Sequence, residues 1–323
     1  MGKNYVTYLL CNFIHEATVT TADNIVILHY TAYGYLVAER ARPYLRTFDL
    51  NEDSDFINAI YVNGYSGHNQ FILGQWPVRS SINDFWRLVL DDHIAVTIVL
   101  HDAQSSRRNF PTFWPTAHCT SARYGPVRVT AVRNTDTSEY TIKTFSIRKY
   151  VWNPAESFLS KDCFIMQLIF LKSWPENDDL PKNWTSLVNL IDLTQKWTQK
   201  NGKAVRPAFI MSKDGIHRAG LYCSLSLCVE QLSKDGEVDV FNAVRNVKYN
   251  RPDLVNKVEF ECLYSIVTKH IMHKYLAVAD ESSMISQGLQ ATAKEEFEML
   301  QYMASVYGIN SSRSQIHNAP LSR

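Results

Sequence analysis

Residues 209–220 combine residue types that can bind an anion. An apolar segment, residues 208–211, is followed by a polar loop and then by a helix that we expect to begin near Leu221. Backbone N–H groups of such a loop can converge on an anion, the helix N-terminus adds positive potential, and the Arg218 guanidinium can bind two oxygens at once. The sequence therefore predicts a phosphate-binding loop made of Ser212, Lys213, Asp214, Gly215, Ile216, His217 and Arg218.

Hydrophobic periodicity predicts the elements that must position this loop. Apolar segments bounded by turn residues indicate strands at residues 56–61, 69–73, 95–100, 127–132, 139–142, 163–171 and 208–211. Amphipathic spacing indicates helices at residues 84–90, 184–200, 221–232, 238–249 and 259–275, with a short piece at 293–307. Residues 3–40 are predicted to form two further helices. Strands followed by helices imply an α/β (α+β) domain with a central mixed β-sheet flanked by helices.

The composition narrows the class of protein. With 323 residues, 46% of them hydrophobic, the chain can bury a large core. Its net charge of +1 gives no electrostatic reason to expect a nucleic acid partner, and no apolar run is long enough to insert into a membrane. The six cysteines have no paired spacing and form no zinc-ligand pattern. We therefore expect them to be reduced and buried, and we predict no metal site and no cofactor.

Six segments resemble motifs of the protein tyrosine phosphatase family and occur in the same order along the chain. They are residues 55–65, residues 71–77 with 84–87, residues 113–115, residues 174–176, the loop at 212–218, and residues 251–252 with 259–264. The resemblance extends from about residue 55 to residue 270. It implies the fold of that family, a highly twisted mixed sheet flanked by helices, and it places the loop where those enzymes bind phosphate.

At the positions where the resemblance implies catalytic groups, this chain has other residues. Ser212 stands where the family has a nucleophilic cysteine, and a serine hydroxyl cannot supply the anionic nucleophile that a thiolate supplies at neutral pH. Glu176 replaces the aspartate that acts as general acid, and its extra methylene misplaces the proton. Other family positions also differ. Met211 stands in place of a histidine, Ala219 in place of a hydroxyl residue and Val255 in place of a glutamine. Trp76 and His217 each stand in place of a glycine.

No residue is therefore predicted to be catalytic, and the degenerate positions are Ser212, Glu176 and Arg218. Arg218 is either a surviving phosphate ligand or a structural residue that pairs with nearby carboxylates. Glu176 is either a surface carboxylate or a displaced acid. Trp76 and His217 are expected to crowd or partly fill the loop. The tyrosine that the family stacks on the substrate ring has no recognisable equivalent upstream of residue 50.

The chain looks most like the membrane-distal, second domain of a tandem receptor-type tyrosine phosphatase. Two short segments, residues 102–104 and 238–241, are similar to the subfamily that contains the gamma and zeta types. We expect N-terminal helices and an inter-domain linker at 1–40, a tyrosine-phosphatase-like domain at 41–279 and a polar C-terminal tail at 280–323. The implied location is cytoplasmic, in the intracellular part of a single-pass membrane receptor.

Three functions remain open from the sequence. The simultaneous loss of nucleophile, acid and glutamine favours a catalytically inactive domain that regulates an active tyrosine phosphatase domain, in cis or in trans. The retained loop and Arg218 are compatible with a reader that binds phosphotyrosine proteins without cleaving them. A Cys→Ser substrate-trap form of an active phosphatase would also carry Ser212.

Overall fold

The structure is a computed structural model of the chain. It describes residues 8–11, 14–21, 24–30, 36–47, 54–103, 110–116, 120–152, 157–200, 206–273 and 298. The strands are β1 (Tyr8–Cys11), β2 (Ile14–Thr21), β3 (Asn24–Tyr30), β4 (Leu36–Ala38), β5 (Ala59–Val62), β6 (Phe71–Gln75), β7 (Val96–Val99), β8 (Ser121–Tyr124), β9 (Val127–Asp136), β10 (Tyr140–Trp152), β11 (Ser157–Leu171) and β12 (Ala208–Ser212). The α-helices are α1 (Ile82–Asp91), α2 (Trp184–Lys200), α3 (His217–Asp235), α4 (Val240–Lys248) and α5 (Lys257–Ile271).

A mixed sheet of eight strands forms the centre of the molecule, in the order β5-β6-β12-β7-β11-β10-β9-β8. The four inner strands β6, β12, β7 and β11 run parallel, and the outer pairs are antiparallel. Carboxyl ends of parallel strands meet at one edge of a sheet, where ligands of α/β folds commonly bind. The loop that follows β12 lies at that edge, between the ends of β6 and β7. The predicted mixed sheet flanked by helices is confirmed.

Apolar residues of β12 are buried on both faces of the sheet. Ala208 and Ile210 belong to a core cluster with helices α2 to α5, whereas Phe209 and Met211 belong to a second, aromatic-rich cluster that includes α1. Side chains alternate between the faces of a strand, so a strand covered by helices on both sides is apolar throughout. The core therefore fixes the position of Ser212, the last residue of β12.

The prediction of helices within residues 3–40 is wrong. Strands β1 to β4 form a separate four-stranded antiparallel sheet there. Strands β2 and β3 are rich in β-branched residues, which favour extended backbone, and only two residues separate them, as in a hairpin. The division of the chain at residues 41 and 279 stays a prediction.

Elsewhere the predicted elements are present with shifted ends. Helix α3 begins at His217, four residues before the expected start, so His217 and Arg218 lie in its first turn. Helix α4 begins after Asp239, whose carboxylate caps it by accepting a hydrogen bond from the Asn242 backbone N–H at 2.8 Å. The helical piece predicted at 293–307 lies outside the described residues, apart from residue 298.

The cysteines are only partly as expected. Cys223 and Cys228 are buried, Cys262 is partly exposed, and Cys163 is exposed on β11. The prediction of burial is therefore wrong for Cys163, because the end of β11 that carries it projects beyond the helical layer. The side chains of Cys11 and Cys119 lie outside the described part of the chain.

Candidate functional site

The backbone of the loop after β12 packs tightly against the end of β6. Gly215 has a φ of +71°, and a Cβ at this position would lie 2.6 Å from the backbone N of Gln75 and from the backbone C of Gly74. The Trp76 backbone N–H donates to the Ser212 carbonyl oxygen at 2.9 Å. Only glycine fits such a left-handed, crowded position without strain. The glycine therefore permits the close contact between the loop and the end of β6.

The Asp214 carboxylate, which belongs to the loop itself, accepts hydrogen bonds from polar groups that the sequence predicts to bind phosphate. The Ser212 hydroxyl donates to Asp214 Oδ1 at 3.0 Å, and the Ile216 backbone N–H donates to the same oxygen at 2.9 Å. The Gly215 backbone N–H donates to Ser212 Oγ at 3.0 Å. Asp214 is thus an internal anion at the N-terminus of α3, where negative charge is stabilised.

A buried histidine accepts a further backbone N–H of the loop. The Lys213 backbone N–H donates to His101 Nε2 at 2.9 Å, and His101 is only 3% exposed. Burial, followed by the positive charge of Arg218, lowers the pKa of His101 to about 3, so the ring is neutral and can accept this bond. The backbone N–H groups of Lys213, Gly215 and Ile216 therefore all bond within the chain.

Arg218 binds backbone carbonyl groups. Its two terminal nitrogens donate at 2.6 to 3.1 Å to the carbonyl oxygens of five residues: Leu100, Trp174, Pro175, Glu176 and Asp178. The guanidinium carbon also lies 4.8 Å from the centre of the Trp174 ring. Burial lowers the pKa of Arg218 to about 10, while Asp214 and the carboxylates of residues 176–179 oppose this shift, so Arg218 is charged at neutral pH.

The segment at residues 174–178 is consequently held against the loop. Apart from the bonds to Arg218, the Trp174 indole N–H donates to the Asp178 carbonyl oxygen at 2.9 Å, and the Trp174 side chain is fully buried. The partners of Arg218 in the structure are thus carbonyl groups, whereas the sequence left a phosphate and nearby carboxylates as alternatives. The backbone carbonyl oxygen of Glu176 takes part in this contact, and Glu176 is only partly exposed.

Other positions singled out in the sequence lie around the loop. His217 Nδ1 is 3.6 Å from Glu259 Oε1, and His217 Nε2 is 3.8 Å from Asp214 Oδ2. The Trp76 ring packs among Phe110, Phe113, Trp114 and Phe170 in the aromatic core, and its indole N–H donates to the Pro111 carbonyl oxygen at 3.0 Å.

Val255 stands beside the first turns of α3. It is fully buried with a φ of +59°, and its backbone N would lie 3.1 Å from a Cβ placed on Gly220. A β-branched residue is rare in this conformation. Lys248 Nζ holds the strained segment by donating to the Val255 carbonyl oxygen at 3.0 Å. The apolar side chain of Val255 offers no group that could position a water.

Sequence reasoning missed His101 and Leu100 as parts of the site. Both follow β7, which is the neighbour of β12 in the parallel part of the sheet. A polar residue directly after a buried strand lies at the same edge as the loop, and this signal was available in the sequence. Across the parts of the chain that the structure describes, no cluster of three or more possible metal ligands occurs. None of the described helices combines the length and apolar character needed to span a bilayer.

The sequence model of the protein-tyrosine phosphatase family matches residues 32–269. The chain belongs to the protein-tyrosine phosphatase family. The match includes the whole eight-stranded sheet, the loop after β12 and nearly all of α5. Ser212, Asp214 and Arg218 lie within the matched residues, and their role in phosphate binding stays a prediction.

Individual phosphatases are similar to the chain over about two thirds of its length. It is 28% identical over 222 residues to mouse receptor-type tyrosine-protein phosphatase alpha, covering 68% of the chain and 25% of that protein. It is 27% identical over 218 residues to Drosophila melanogaster tyrosine-protein phosphatase Lar, covering 67% of the chain and 10% of that protein. Chicken receptor-type tyrosine-protein phosphatase U is 27% identical over 244 residues, 75% of the chain and 16% of the relative. The aligned part of the chain thus spans a quarter or less of these relatives.

Proposed function

We propose that this protein is a catalytically inactive tyrosine-phosphatase domain that acts by interaction and regulates an active phosphatase domain, in cis or in trans. The observation that carries the proposal is that the phosphate-binding loop is occupied by its own groups. Asp214 and His101 accept its backbone N–H groups, and Arg218 is bound to five carbonyl oxygens.

Chemistry at Ser212 has no support from its surroundings. The residue is 1% exposed, and its hydroxyl donates to Asp214 and accepts from the Gly215 N–H. A phosphorus atom cannot reach this oxygen unless the loop opens. Nucleophilic attack also requires a group that removes the hydroxyl proton and an acid that protonates the leaving group. The carboxylate beside Ser212 is itself fixed by the Ile216 N–H, and Glu176 contacts the loop through its carbonyl group.

The same contacts disfavour a phosphotyrosine reader. A phosphate dianion would have to displace the Asp214 carboxylate from the Ile216 N–H and detach Arg218 from the segment at 174–178. Both losses subtract from the binding free energy, because buried carbonyl groups would be left without donors. A substrate-trap form is disfavoured too, since a single Cys→Ser change does not account for Glu176, Ala219 and Val255.

We also place the domain in the receptor-type branch of the family, as a membrane-distal domain on the intracellular side of a receptor. The names of the relatives support receptor type. The segments at 102–104 and 238–241 support the gamma and zeta subfamily. In this setting the nearest partner is the active phosphatase domain of the same receptor or of a second copy.

Turnover of a phosphotyrosine peptide by the wild-type protein and by Ser212→Cys tests the inactivity. We expect no turnover above background for either, because restoring the thiol leaves Asp214 and Arg218 in place. An active receptor-type phosphatase domain is the positive control for the assay. Turnover by Ser212→Cys near that of the control would contradict the proposal and favour a trap form.

The regulatory role needs a separate measurement. The protein is titrated into the active domain of receptor-type phosphatase alpha while peptide turnover is followed. We expect the protein to inhibit or activate peptide turnover by the active domain, with an effect that saturates as its concentration rises. Unchanged turnover, together with no association in sedimentation, would sink the regulatory role for this partner and leave the inactivity standing.

A further inference from the structure

Three arginines lie side by side across one face of the central sheet. Arg123 of β8 is the register partner of Arg128 of β9, and Arg128 is the register partner of Arg148 of β10. Directly opposite residues of antiparallel strands point to the same face, with Cβ atoms about 5 Å apart. We call Arg123, Arg128 and Arg148 the arginine row.

The face that carries the arginine row is open to solvent. Arg148 is the register partner of Cys163 on β11, and Cys163 is exposed, as is Ile165 two residues further. Ile169 and Leu171 lie on the same face by period two, and they are buried in the cluster that includes α2. The helices therefore cover one end of the long β9–β10–β11 hairpins, and the arginine row lies beyond them.

Like charges in directly opposite positions destabilise a sheet. No ion pair within the described part of the chain includes Arg123, Arg128 or Arg148. Exposed Lys161, two residues before Cys163 on β11, adds positive charge at the same end of the hairpins, where Asp162 is the neighbouring carboxylate. The net charge of the whole chain is only +1, so this positive surface is local.

Two of the three guanidinium groups are held in place before any partner binds. Arg123 lies over the Tyr150 ring, 4.6 Å from its centre, and Arg128 Nη1 is 3.4 Å from the Tyr150 hydroxyl. Arg128 Nε also donates to the Ser121 hydroxyl at 2.8 Å. Each guanidinium keeps further N–H donors in a planar fork that matches a carboxylate. Such preorganisation lowers the entropic cost of binding.

We propose that the arginine row binds the acidic face of a helix in a partner protein. Neighbouring strands are about 4.8 Å apart, whereas side chains on one face of a helix recur about 5–6 Å apart at i and i+4. Glutamates spaced by four residues can therefore pair with successive arginines of the row. Same-side residues of an extended peptide recur at about 6.8 Å and fit the row less well.

The test uses two alanine-based helical peptides of identical composition, titrated into the full chain at low ionic strength by fluorescence anisotropy. One has glutamates at i, i+4 and i+8, and the other has them distributed around the helix. We expect the aligned peptide to bind at least about fivefold more tightly than the distributed peptide. The double variant Arg128→Gln with Arg148→Gln should bind the aligned peptide about tenfold more weakly than wild type, or weaker still. Arg245→Gln, an exposed arginine on α4, is the matched control and should bind like wild type.

Three results would overturn the proposal. They are equal binding of the two peptides, binding that persists in the double variant, and binding to phosphatidylserine vesicles without binding to the peptide. The last outcome would assign the surface to a membrane. A folding check is built in: removing like charges should leave the urea midpoint of the double variant unchanged or raise it. This surface is separate from the loop after β12, so its failure would not affect the proposed inactivity.

Discussion

At the scale of single residues, Arg218 shows how one side chain can keep its place and change its partners. Its spacing from Ser212 predicts an anion ligand, yet its donors lie against five carbonyl oxygens of the chain. The spacing could be read from the sequence. The partners could not, because they depend on how the segment at 174–178 folds over the loop.

Replacing Arg218 by methionine should therefore destabilise the fold itself. The substitution keeps an unbranched apolar stem but removes the guanidinium, so the buried carbonyl groups of Leu100 and Trp174 lose this donor and the free energy of unfolding should fall by roughly 3 kcal/mol. Urea denaturation measures the change. Arg245→Met, at an exposed position of α4, should change stability by less than about 0.5 kcal/mol. A fold as stable as wild type in Arg218→Met would show that these contacts contribute little.

The protonation of His101 should make stability depend on pH. The folded-state pKa is lowered to about 3 from 6.5, so between these values the unfolded chain binds a proton that the folded chain does not. The free energy of unfolding should therefore fall as pH drops below about 6.5, at up to roughly 1.4 kcal/mol per pH unit from this residue. His101 faces Arg218 and Lys213, which oppose its protonation, and Asp214, which favours it.

Urea denaturation from pH 7 to pH 4 measures this slope. In His101→Gln, the side-chain oxygen can still accept a hydrogen bond from the Lys213 N–H, but the side chain does not titrate. The pH dependence of the free energy of unfolding should therefore correspond to about one bound proton fewer than in wild type. His68→Gln, at an exposed position, is the control and should keep most of the wild-type slope. Equal slopes in wild type and His101→Gln would contradict the buried neutral histidine.

At the scale of elements, the loop after β12 depends on a glycine that the packing of β6 imposes. Gly215 and Gly236 both have positive φ, of 71° and 76°. A Cβ on Gly236 would meet nothing within 4 Å, whereas one on Gly215 would collide with the backbone of β6. Gly236→Ala should cost about 1 kcal/mol for its left-handed backbone, and Gly215→Ala should cost at least roughly 3 kcal/mol. Thermal unfolding measures both variants. Similar losses of stability in Gly215→Ala and Gly236→Ala would mean that the loop after β12 can shift away from β6 at little cost.

Elements with a clear apolar pattern were predicted with nearly correct boundaries. The boundaries of α2 agree with the sequence pattern, and β12 extends one residue beyond it. The N-terminal region was predicted wrongly because its apolar residues fit either period, and pairing between β2 and β3 decides between them. Helix α3 starts four residues earlier than predicted, because the polar His217 and Arg218 form its first turn although they extend the polar pattern of the loop.

At the scale of the whole molecule, a fold of the phosphatase family carries a loop after β12 whose polar groups bond within the chain. The family match at residues 32–269 includes the eight-stranded sheet, the buried residues of both core clusters and the loop after β12. The presence of serine at residue 212 could be read directly from the sequence. The occupation of the loop could not, because it needs His101 and the segment at 174–178, which lie far from the loop in the sequence.

Calorimetric titration of a phosphotyrosine peptide into the wild-type protein tests the central claim most directly. A receptor-type phosphatase domain whose nucleophilic cysteine is changed to serine serves as the positive control. An occupied loop predicts no measurable heat of binding for this chain under conditions where the control binds. Micromolar binding that vanadate competes would contradict it and would make the protein a phosphotyrosine reader.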